Sequence, residues 1–308
     1  MKILVYGAGV IGSIFAYKLK SGGNDVSILA RGKRLEDLKK HGLIIHDDIF
    51  HKEYKTDINV VDRLAKEDHY DLILVIMQRQ QVSQILPILK ENVSPNIIFT
   101  GNNPTGAAEY LQSIERNRIL LGFGGPGGYK EDHKIIAGYV DDAILYVGEL
   151  DGTKSERLKN IEQVFTDSGI KVDLSENIDA WLKTHIALIS PLAMGGYAAK
   201  KRNKTLGTDM ELATLSLQGF REFIKALKEL GFPILPKKFK LLTWIPISII
   251  RRKLLKLLNS EFGRIALSGH ANAAQNEMKR LTDDLFEIVK DVKTDLSSNK
   301  QLYELSFA

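Results

Sequence analysis

Three glycines near the N terminus have the spacing of a turn that binds a dinucleotide. Gly7, Gly9 and Gly12 lie between an apolar run at residues 2–6 and a segment of helical character. In such a turn one glycine permits the tight bend, one lets the backbone approach a pyrophosphate, and one lets helix and strand pack closely. The first N–H groups of the helix then point at the phosphates. A purely structural glycine turn shares this pattern, but the flanking strand and helix favour cofactor contacts at Gly7, Gly9, Val10, Ile11 and Gly12.

A basic segment after the second apolar run favours a phosphorylated nucleotide. The run at residues 26–29 is followed by Arg31, Lys33 and Arg34, with no carboxylate among residues 30–34. A carboxylate here would accept hydrogen bonds from the ribose 2′-hydroxyl of NAD, whereas guanidinium groups pair well with the oxygens of a 2′-phosphate. The sequence therefore predicts NADP(H) as the cofactor. The alternative is a basic turn that only faces solvent.

The elements that position these residues alternate between apolar runs and longer connecting segments. Runs rich in β-branched residues occur at 3–6, 26–29, 72–77, 97–100 and 119–122. This alternation predicts an α/β fold with a Rossmann-type, doubly wound parallel sheet. Two further runs, at 134–140 and 143–147, are separated by only two residues and predict a hairpin that closes the sheet.

The pattern changes beyond residue 174. A helix at 153–168 and a strand at 170–173 complete the first half, whereas later segments such as 212–230 and 271–292 have long helical periodicity. A chain of this length is expected to form two domains. We predict an NADP-binding Rossmann domain at 1–174 and an all-helical substrate and catalytic domain at 175–308.

The composition is that of an ordinary soluble protein. Of the 308 residues, 44% are hydrophobic and 26% are charged, and the net charge of +5 is spread along the chain. A modest, dispersed charge favours an anionic small ligand over nucleic acid. The absence of cysteine excludes disulfides, cysteine nucleophiles and thiolate metal sites, and no metal site is predicted. Met1 leads directly into the first strand and no segment reaches the length of a membrane span, so we expect no signal peptide, no membrane contact and a cytoplasmic location.

Five motifs, taken in order, resemble the ketopantoate reductase family. They are the glycine turn, Leu29-Ala30-Arg31-Gly32, Met77-Gln78-Arg79-Gln80-Gln81-Val82, Gly101-Asn102-Asn103, and Trp181-Leu182-Lys183 leading to Ser190-Pro191-Leu192. The resemblance covers nearly the whole chain and implies a Rossmann domain joined to an all-helical domain. Members of this family reduce the 2-oxo acid ketopantoate (2-dehydropantoate) to pantoate with NADPH, in pantothenate biosynthesis.

The resemblance also implies cofactor residues. Arg31 matches the arginine that meets the 2′-phosphate. The family often has a lysine where this chain has Gln78, with Arg79 beside it, so one cation of the cofactor site is displaced or lost. Asn102 or Asn103 matches the asparagine that positions nicotinamide and substrate. The helical segment that follows favours Asn103, but a one-residue ambiguity is left open.

Lys183 matches the catalytic lysine of the family. Hydride delivery to a 2-oxo acid needs a donor that stabilises and protonates the forming alkoxide, which a lysine provides if burial lowers its pKa. Lys183 lies in a strongly apolar helical segment, and Ser190, seven positions later, returns to the same helical face, whereas His185 points away. We predict Lys183 as the general acid with Ser190 near the substrate. The alternative is a lysine that snorkels to solvent.

The second domain departs from the family pattern. Typical members have asparagines four and eight positions after the lysine, where this chain has Ala187 and Pro191. Ser268, His270 and Asn272 are the polar candidates for contacts to the substrate in the later segment. Glu277 is interpreted as a surface or hinge residue rather than as the glutamate that the family carries near its substrate.

A basic and apolar segment at 237–258 admits three interpretations. It would lie on an anionic membrane, line a hydrophobic substrate entrance, or form two core-packing helical pieces broken at Pro246 with their cations in water. We favour the last interpretation because most amphipathic helices of soluble proteins cover a core.

Together these features predict an NADP-dependent oxidoreductase that converts a 2-oxo acid, first of all ketopantoate, to the 2-hydroxy acid. The missing asparagine and glutamate leave two alternatives, namely the same mechanism with another 2-oxo acid and an NADP(H)-binding protein without turnover. The sequence leaves the oligomeric state open, although an apolar helical domain is compatible with a homodimer.

Overall fold

The computed structural model describes residues 1–125, 127–261, 263 and 275–307. The chain divides into two compact units, residues 1–102 with 106–178 and residues 103–105 with 179–308. The first unit is α/β and the regular elements described in the second unit are all helices, so the predicted fold class is confirmed.

The first unit contains twelve described strands and five α-helices. The strands are Lys2–Tyr6 (β1), Asp25–Leu29 (β2), Leu43–Asp47 (β3), Lys52–Thr56 (β4), Asn59–Val61 (β5), Leu72–Val75 (β6), Ile97–Thr100 (β7), Ile119–Gly125 (β8), Gly128–Glu131 (β9), Lys134–Ala137 (β10), Ile144–Gly148 (β11) and Lys171–Leu174 (β12). The helices are Val10–Ser21 (α1), Gly32–His41 (α2), Arg79–Val82 (α3), Leu86–Glu91 (α4) and Glu156–Asp167 (α5).

Eight of these strands form the main sheet, in the order β12-β11-β8-β7-β6-β1-β2-β5. All neighbours are parallel except β8 and β11, which are antiparallel. The chain moves outward from β1 in one direction through β2 and in the other through β6 and β7. The strand order therefore reverses between β1 and β6, which is the place where doubly wound sheets bind ligands.

The predicted hairpin at 134–147 is wrong. Strand β10 pairs with β3 and β9 in a separate sheet of order β4-β3-β10-β9, whereas β11 belongs to the main sheet. Tyr139 has a left-handed backbone with φ of 59°, and residues Val140–Asp142 form a 3₁₀ turn. The N–H of Val140 donates to the buried Asp47 carboxylate at 2.7 Å. This anchored turn sends the chain from one sheet to the other instead of folding it back on itself.

The second unit contains six described helices. They are Ile178–Lys201 (α6), whose first residue still belongs to the first unit, Met210–Glu229 (α7), Phe239–Leu242 (α8), Ile247–Leu258 (α9), Gln275–Ile288 (α10) and Ser297–Phe307 (α11). Buried apolar side chains from α6, α7 and α10, such as Ile186, Phe223 and Leu281, form its main core. No helix in the described part of the chain is both long and apolar enough to span a membrane.

The segment at 237–258 forms two helical pieces with Pro246 between them, as predicted. One face packs as a core-covering helix should, since Phe239, Leu242, Leu255 and Leu258 contact the apolar clusters of this unit. The other face does not, because Trp244 is 83% exposed and Leu241 is 64% exposed. The core-packing interpretation therefore holds for one side of the segment only.

Candidate active site

The glycine turn gives each of its three glycines a different role. Gly7 has φ of +129°, a region that favours glycine, and a Cβ placed on it would lie 2.1 Å from the carbonyl oxygen of Ile76. A Cβ on Gly12 would lie 2.0 Å from the carbonyl oxygen of Gly7, so the first turn of α1 rests directly on the loop. Gly9 has no atom within 4 Å of its Cβ position. The bend, the open approach and the close packing expected from the sequence are therefore all present.

The N-terminus of α1 is suited to an anion. Its N-cap, Gly9, makes no side-chain capping hydrogen bond, and the first turn contains no acidic residue. The N–H groups of Val10 and Ile11 lie at this end of the helix, where the helix dipole favours negative charge. A pyrophosphate group fits this combination of open backbone and uncompensated N–H groups.

Arg34 fixes the turn from the side. Its guanidinium donates to the carbonyl oxygen of Ala8 at 3.1 Å, to Ser13 Oγ at 3.1 Å and to the carbonyl oxygen of His133 at 2.8 Å. Three such bonds hold the loop and the start of α1 together. Arg34 is therefore a structural cation, a role that its place in the basic segment did not reveal.

Arg31 is the cation of this segment that can meet a ligand. Lys33 is paired with Asp37 at 2.8 Å, one helical turn away. Arg31 is exposed at the N-cap of α2, and its Nη2 donates to the hydroxyl of Tyr6 at 3.1 Å. Burial raises the pKa of Tyr6 and the charge of Arg31 counteracts that rise, so the hydroxyl stays neutral and accepts the bond. This contact places the guanidinium at the carboxyl end of β1, beside the glycine turn.

The cation of the segment after β6, Arg79, is paired with a carboxylate. Arg79 is 8% exposed, forms an ion pair with Glu109 at 2.5 Å and lies over the ring of Tyr110. Gln78 is half-buried at the N-cap of α3 and accepts a hydrogen bond from Gln80 at 2.8 Å. The charge of Arg79 is thus compensated inside the unit, and the lysine of the family pattern has no cationic substitute at Gln78.

The two asparagines after β7 have different environments. Asn103 is 4% exposed, and its Oδ1 accepts hydrogen bonds from the N–H of Thr105 at 3.0 Å and from Thr105 Oγ1 at 2.8 Å. Asn102 Oδ1 is also buried, but no described group donates to it. Buried carbonyl oxygens without a donor are uncommon, and such an atom is suited to a ligand N–H. The amide oxygen available to a ligand is therefore that of Asn102, whereas the sequence favoured Asn103.

Lys183 is a buried cation that has one carboxylate partner among the described residues. Its side chain lies on α6, is 5% exposed as a residue, and forms an ion pair with Asp179 at 2.5 Å, one helical turn earlier. The ring of Phe232 lies 4.9 Å from the Nζ atom. The snorkelling alternative does not describe this side chain, because the ammonium is held inside the unit. Asp179 was missed in the sequence, although its spacing of four residues was a visible signal.

Ser190 is completely buried and bonds to another helix. Its Oγ lies 2.6 Å from Thr282 Oγ1, and Thr282 in turn donates to the carbonyl oxygen of Met278 at 2.7 Å. The Ser190 hydroxyl therefore donates to Thr282 and joins α6 to α10. His185 stacks on Trp181 with ring centroids 5.2 Å apart, which agrees with its expected structural role.

The interpretation of Glu277 as a surface residue is wrong. Glu277 is 5% exposed at the start of α10. Burial, assisted by the Glu277 charge, raises the pKa of Tyr197 on α6 to about 12. Glu277 was assigned to the surface because the sequence pattern of α10 alone gives no sign that α6 packs against the first turn of α10. Ser268, His270 and Asn272 lie outside the described residues.

The comparisons with known proteins concern the family and the fold of the chain. Residues 3–152 match the family model described as ketopantoate reductase PanE/ApbA. The predicted resemblance to the ketopantoate reductase family is confirmed. An uncharacterised oxidoreductase of Bacillus subtilis is 25% identical over 191 residues, covering 59% of this chain and 61% of its own. A 2-dehydropantoate 2-reductase of Archaeoglobus fulgidus is 27% identical over 194 residues, covering 62% of this chain and 63% of its own. The matched part of this chain thus spans about three fifths of the length of each of these two relatives.

A solved structure extends the likeness of fold to nearly the whole chain. The ternary structure of D-mandelate dehydrogenase with NADH and anilino(oxo)acetate has a TM-score of 0.78 and 17% identity, covering 99% of this chain and 97% of that one. At this identity the likeness concerns the fold. The likeness of fold thus extends over the residues of both units.

Proposed function

We propose that this protein is an NADPH-dependent reductase of a 2-oxo acid, with ketopantoate as the leading substrate. The observation that carries the proposal is Lys183, a buried lysine whose ammonium is held by Asp179 in a family of oxidoreductases. A buried cation needs a strong reason to be kept, and a proton donor to a forming alkoxide is such a reason.

The residues of the first unit fit the cofactor. The open backbone at Gly9 and the start of α1 suit the pyrophosphate, and Arg31 suits a 2′-phosphate. Asn102 offers its buried oxygen to the carboxamide N–H₂ group of nicotinamide. When bound, the cofactor supplies the hydride that converts a carbonyl carbon into an alcohol carbon.

Lys183 carries the remaining chemistry in this proposal. Its Nζ donates a proton to the carbonyl oxygen of the substrate as negative charge develops there, and the neutral amine takes a proton from solvent afterwards. Asp179 keeps the ammonium in place before the reaction. Asp179 thereby acts as a positioning residue, since it works through Lys183.

The departures from the family favour a second candidate, the same reaction on a different 2-oxo acid. Ala187 is completely buried in the apolar core where the family has an asparagine, and Ser190 is bonded to Thr282. A substrate with fewer hydroxyl groups than ketopantoate would need fewer polar partners. An aromatic 2-oxo acid is a suitable test compound, because D-mandelate dehydrogenase shares the fold.

The deciding experiment is NADPH oxidation by the purified protein against a panel that includes ketopantoate and aromatic and aliphatic 2-oxo acids. We expect turnover with at least one acid and a loss of about 10²- to 10⁴-fold in kcat for Lys183→Ala. Lys200→Ala is the matched control, since Lys200 is exposed at the far end of the same helix. Tight NADPH binding without turnover on any acid would instead indicate a cofactor-binding protein that catalyses no reduction. Full activity of Lys183→Ala would show that Lys183 is not the general acid.

A further inference from the structure

The hairpin between β3 and β4 brings together three side chains that the reductase chemistry does not use. His46, Asp48 and His51 each offer one ligand atom, and these atoms all lie within 4.8 Å of one another. His46 Nε2 lies 3.9 Å from Asp48 Oδ1. All three residues belong to the four-stranded sheet of the first unit, or to the turn that leaves it.

The turn that carries these side chains is held from beneath. Asp47 is completely buried, and one of its carboxylate oxygens accepts hydrogen bonds from the N–H groups of Ile49 and Phe50, each at 3.0 Å. The other oxygen accepts from Val140 at 2.7 Å. The backbone N–H of Asp48 donates to Ala137 at 2.8 Å. Because the backbone is fixed on both sides, the three ligand atoms are brought together without the entropic cost of ordering a free loop.

We propose that His46, Asp48 and His51 form a binding site for a divalent transition metal ion, with zinc as the best match. Two imidazoles and one carboxylate are a zinc-type set, whereas magnesium and calcium prefer oxygen ligands throughout. Three protein ligands leave the fourth tetrahedral position to water.

The distances are compatible with this assignment. Bonds of about 2.1 Å to a tetrahedral ion place two ligand atoms about 3.4 Å apart. His46 and Asp48 need to approach by only a few tenths of an ångström from 3.9 Å. His51 is exposed, so rotation of its side chain supplies the remaining movement.

Glu53 is the neighbouring carboxylate that the site does not use. It pairs in register with His46 across the hairpin, but its carboxylate is bound by Lys134 at 3.0 Å. Glu53 is therefore paired with Lys134, and the proposed ligands are His46, Asp48 and His51.

The test is equilibrium dialysis of the untagged, full-length protein against Zn²⁺, with Co²⁺ as a spectroscopic probe. We expect one equivalent of zinc per chain and visible absorption of four-coordinate cobalt. His46→Ala and His51→Gly should each weaken binding by at least about tenfold. His51→Gly removes the imidazole but keeps the backbone conformation, because φ at this position is 51° and glycine adopts it freely.

Two controls separate this site from other histidines. His69→Ala removes an exposed imidazole elsewhere in the same unit and should leave zinc binding unchanged. His41→Ala removes one ring of the stacked pair His41 and His133, whose centroids are 4.3 Å apart. If His41→Ala abolishes the bound equivalent while His46→Ala keeps it, the site assigned here is wrong. Zinc bound equally well by all variants, or by none including the unmodified protein, would also overturn the proposal.

Discussion

The glycine turn of the first unit and the surroundings of Lys183 in the second unit are built from different kinds of structure. Around the glycine turn, backbone atoms determine the geometry, since Gly7 and Gly12 allow the chain to approach itself within distances that no side chain would permit. Around Lys183, side chains from separate segments determine the environment, with Asp179 on the same helix and Phe232 about fifty positions later. A site formed by backbone leaves a short motif in the sequence, whereas a site formed by packed side chains leaves only single residues whose partners are distant.

The strongest test of this comparison is Gly12→Ala against Gly9→Ala. A Cβ on Gly12 would overlap the carbonyl oxygen of Gly7 at 2.0 Å. Neither residue can move away easily, because Arg34 bonds to their chain neighbours Ala8 and Ser13. We expect Gly12→Ala to lower the free energy of unfolding by about 3 kcal/mol or more, since overpacking of fixed backbone is among the most damaging changes. Chemical denaturation measures this effect.

Gly9→Ala is the matched change without overlap, because nothing lies within 4 Å of its Cβ position. Its stability should stay within about 0.5 kcal/mol of the unmodified protein, while its affinity for NADPH falls. If both variants are equally stable, the close contact of helix and turn is not a structural requirement. If Gly9→Ala binds NADPH normally, the pyrophosphate does not approach this backbone.

The asparagine pair gives the next largest expected effect. Asn103→Ala removes the acceptor of two hydrogen bonds from Thr105 and should cost about 2 kcal/mol of stability. Asn102→Ala removes a buried oxygen that no described group satisfies, so stability should be unchanged or slightly higher. Cofactor affinity should fall for Asn102→Ala, as measured by titration with NADPH. If Asn103→Ala loses affinity for NADPH and Asn102→Ala loses stability, Asn103 is the residue that meets the cofactor.

Much of the first unit was predictable because its strands are long runs of apolar residues. The parallel sheet, α5 and β12 were predicted close to their observed positions. The second sheet was missed because its strands are partly polar. In β4, for example, only Tyr54 of five residues is buried. The hairpin prediction failed for a related reason. Two strands close in sequence belong to different sheets because the turn between them is anchored by Asp47, which lies 93 residues before Val140.

The second unit was predictable in its helices but not in its contacts. The position of Lys183 on a buried helical face followed from the apolar pattern. The partner of Ser190 did not, because Thr282 comes from a helix ninety-two residues later. For the same reason Glu277 was assigned to the surface although it is buried. These contacts depend on which helices meet, and periodicity within a single helix contains no information on that.

Arg31→Ala tests the cofactor preference on the backbone side of the comparison. Arg31 is exposed and its described contact is the hydroxyl of Tyr6, so its removal should leave stability nearly unchanged. Loss of a charged hydrogen-bonding partner costs about 1.5–3 kcal/mol, so affinity for NADPH should fall by about 10- to 100-fold. Affinity for NADH should stay the same. Equal tightness for both cofactors in the unmodified protein would show that Arg31 does not select the 2′-phosphate.

Asp179→Asn gives the smallest expected effect and tests the side-chain half of the comparison. The change keeps the size of the side chain and removes the charge that holds the ammonium of Lys183 at 2.5 Å. Lys183 would then be buried without a carboxylate partner, and its position before proton transfer would be less well defined. We expect kcat to fall by about tenfold, or 1.4 kcal/mol, with little change in KM for the oxo acid. Asp179→Glu should recover part of the activity, because it restores the negative charge on a side chain that is one methylene longer. A rise in KM with unchanged kcat would instead place Asp179 in contact with substrate. Comparing the neutral variant Asp179→Asn with the acidic variant Asp179→Glu would then separate substrate binding from positioning of Lys183.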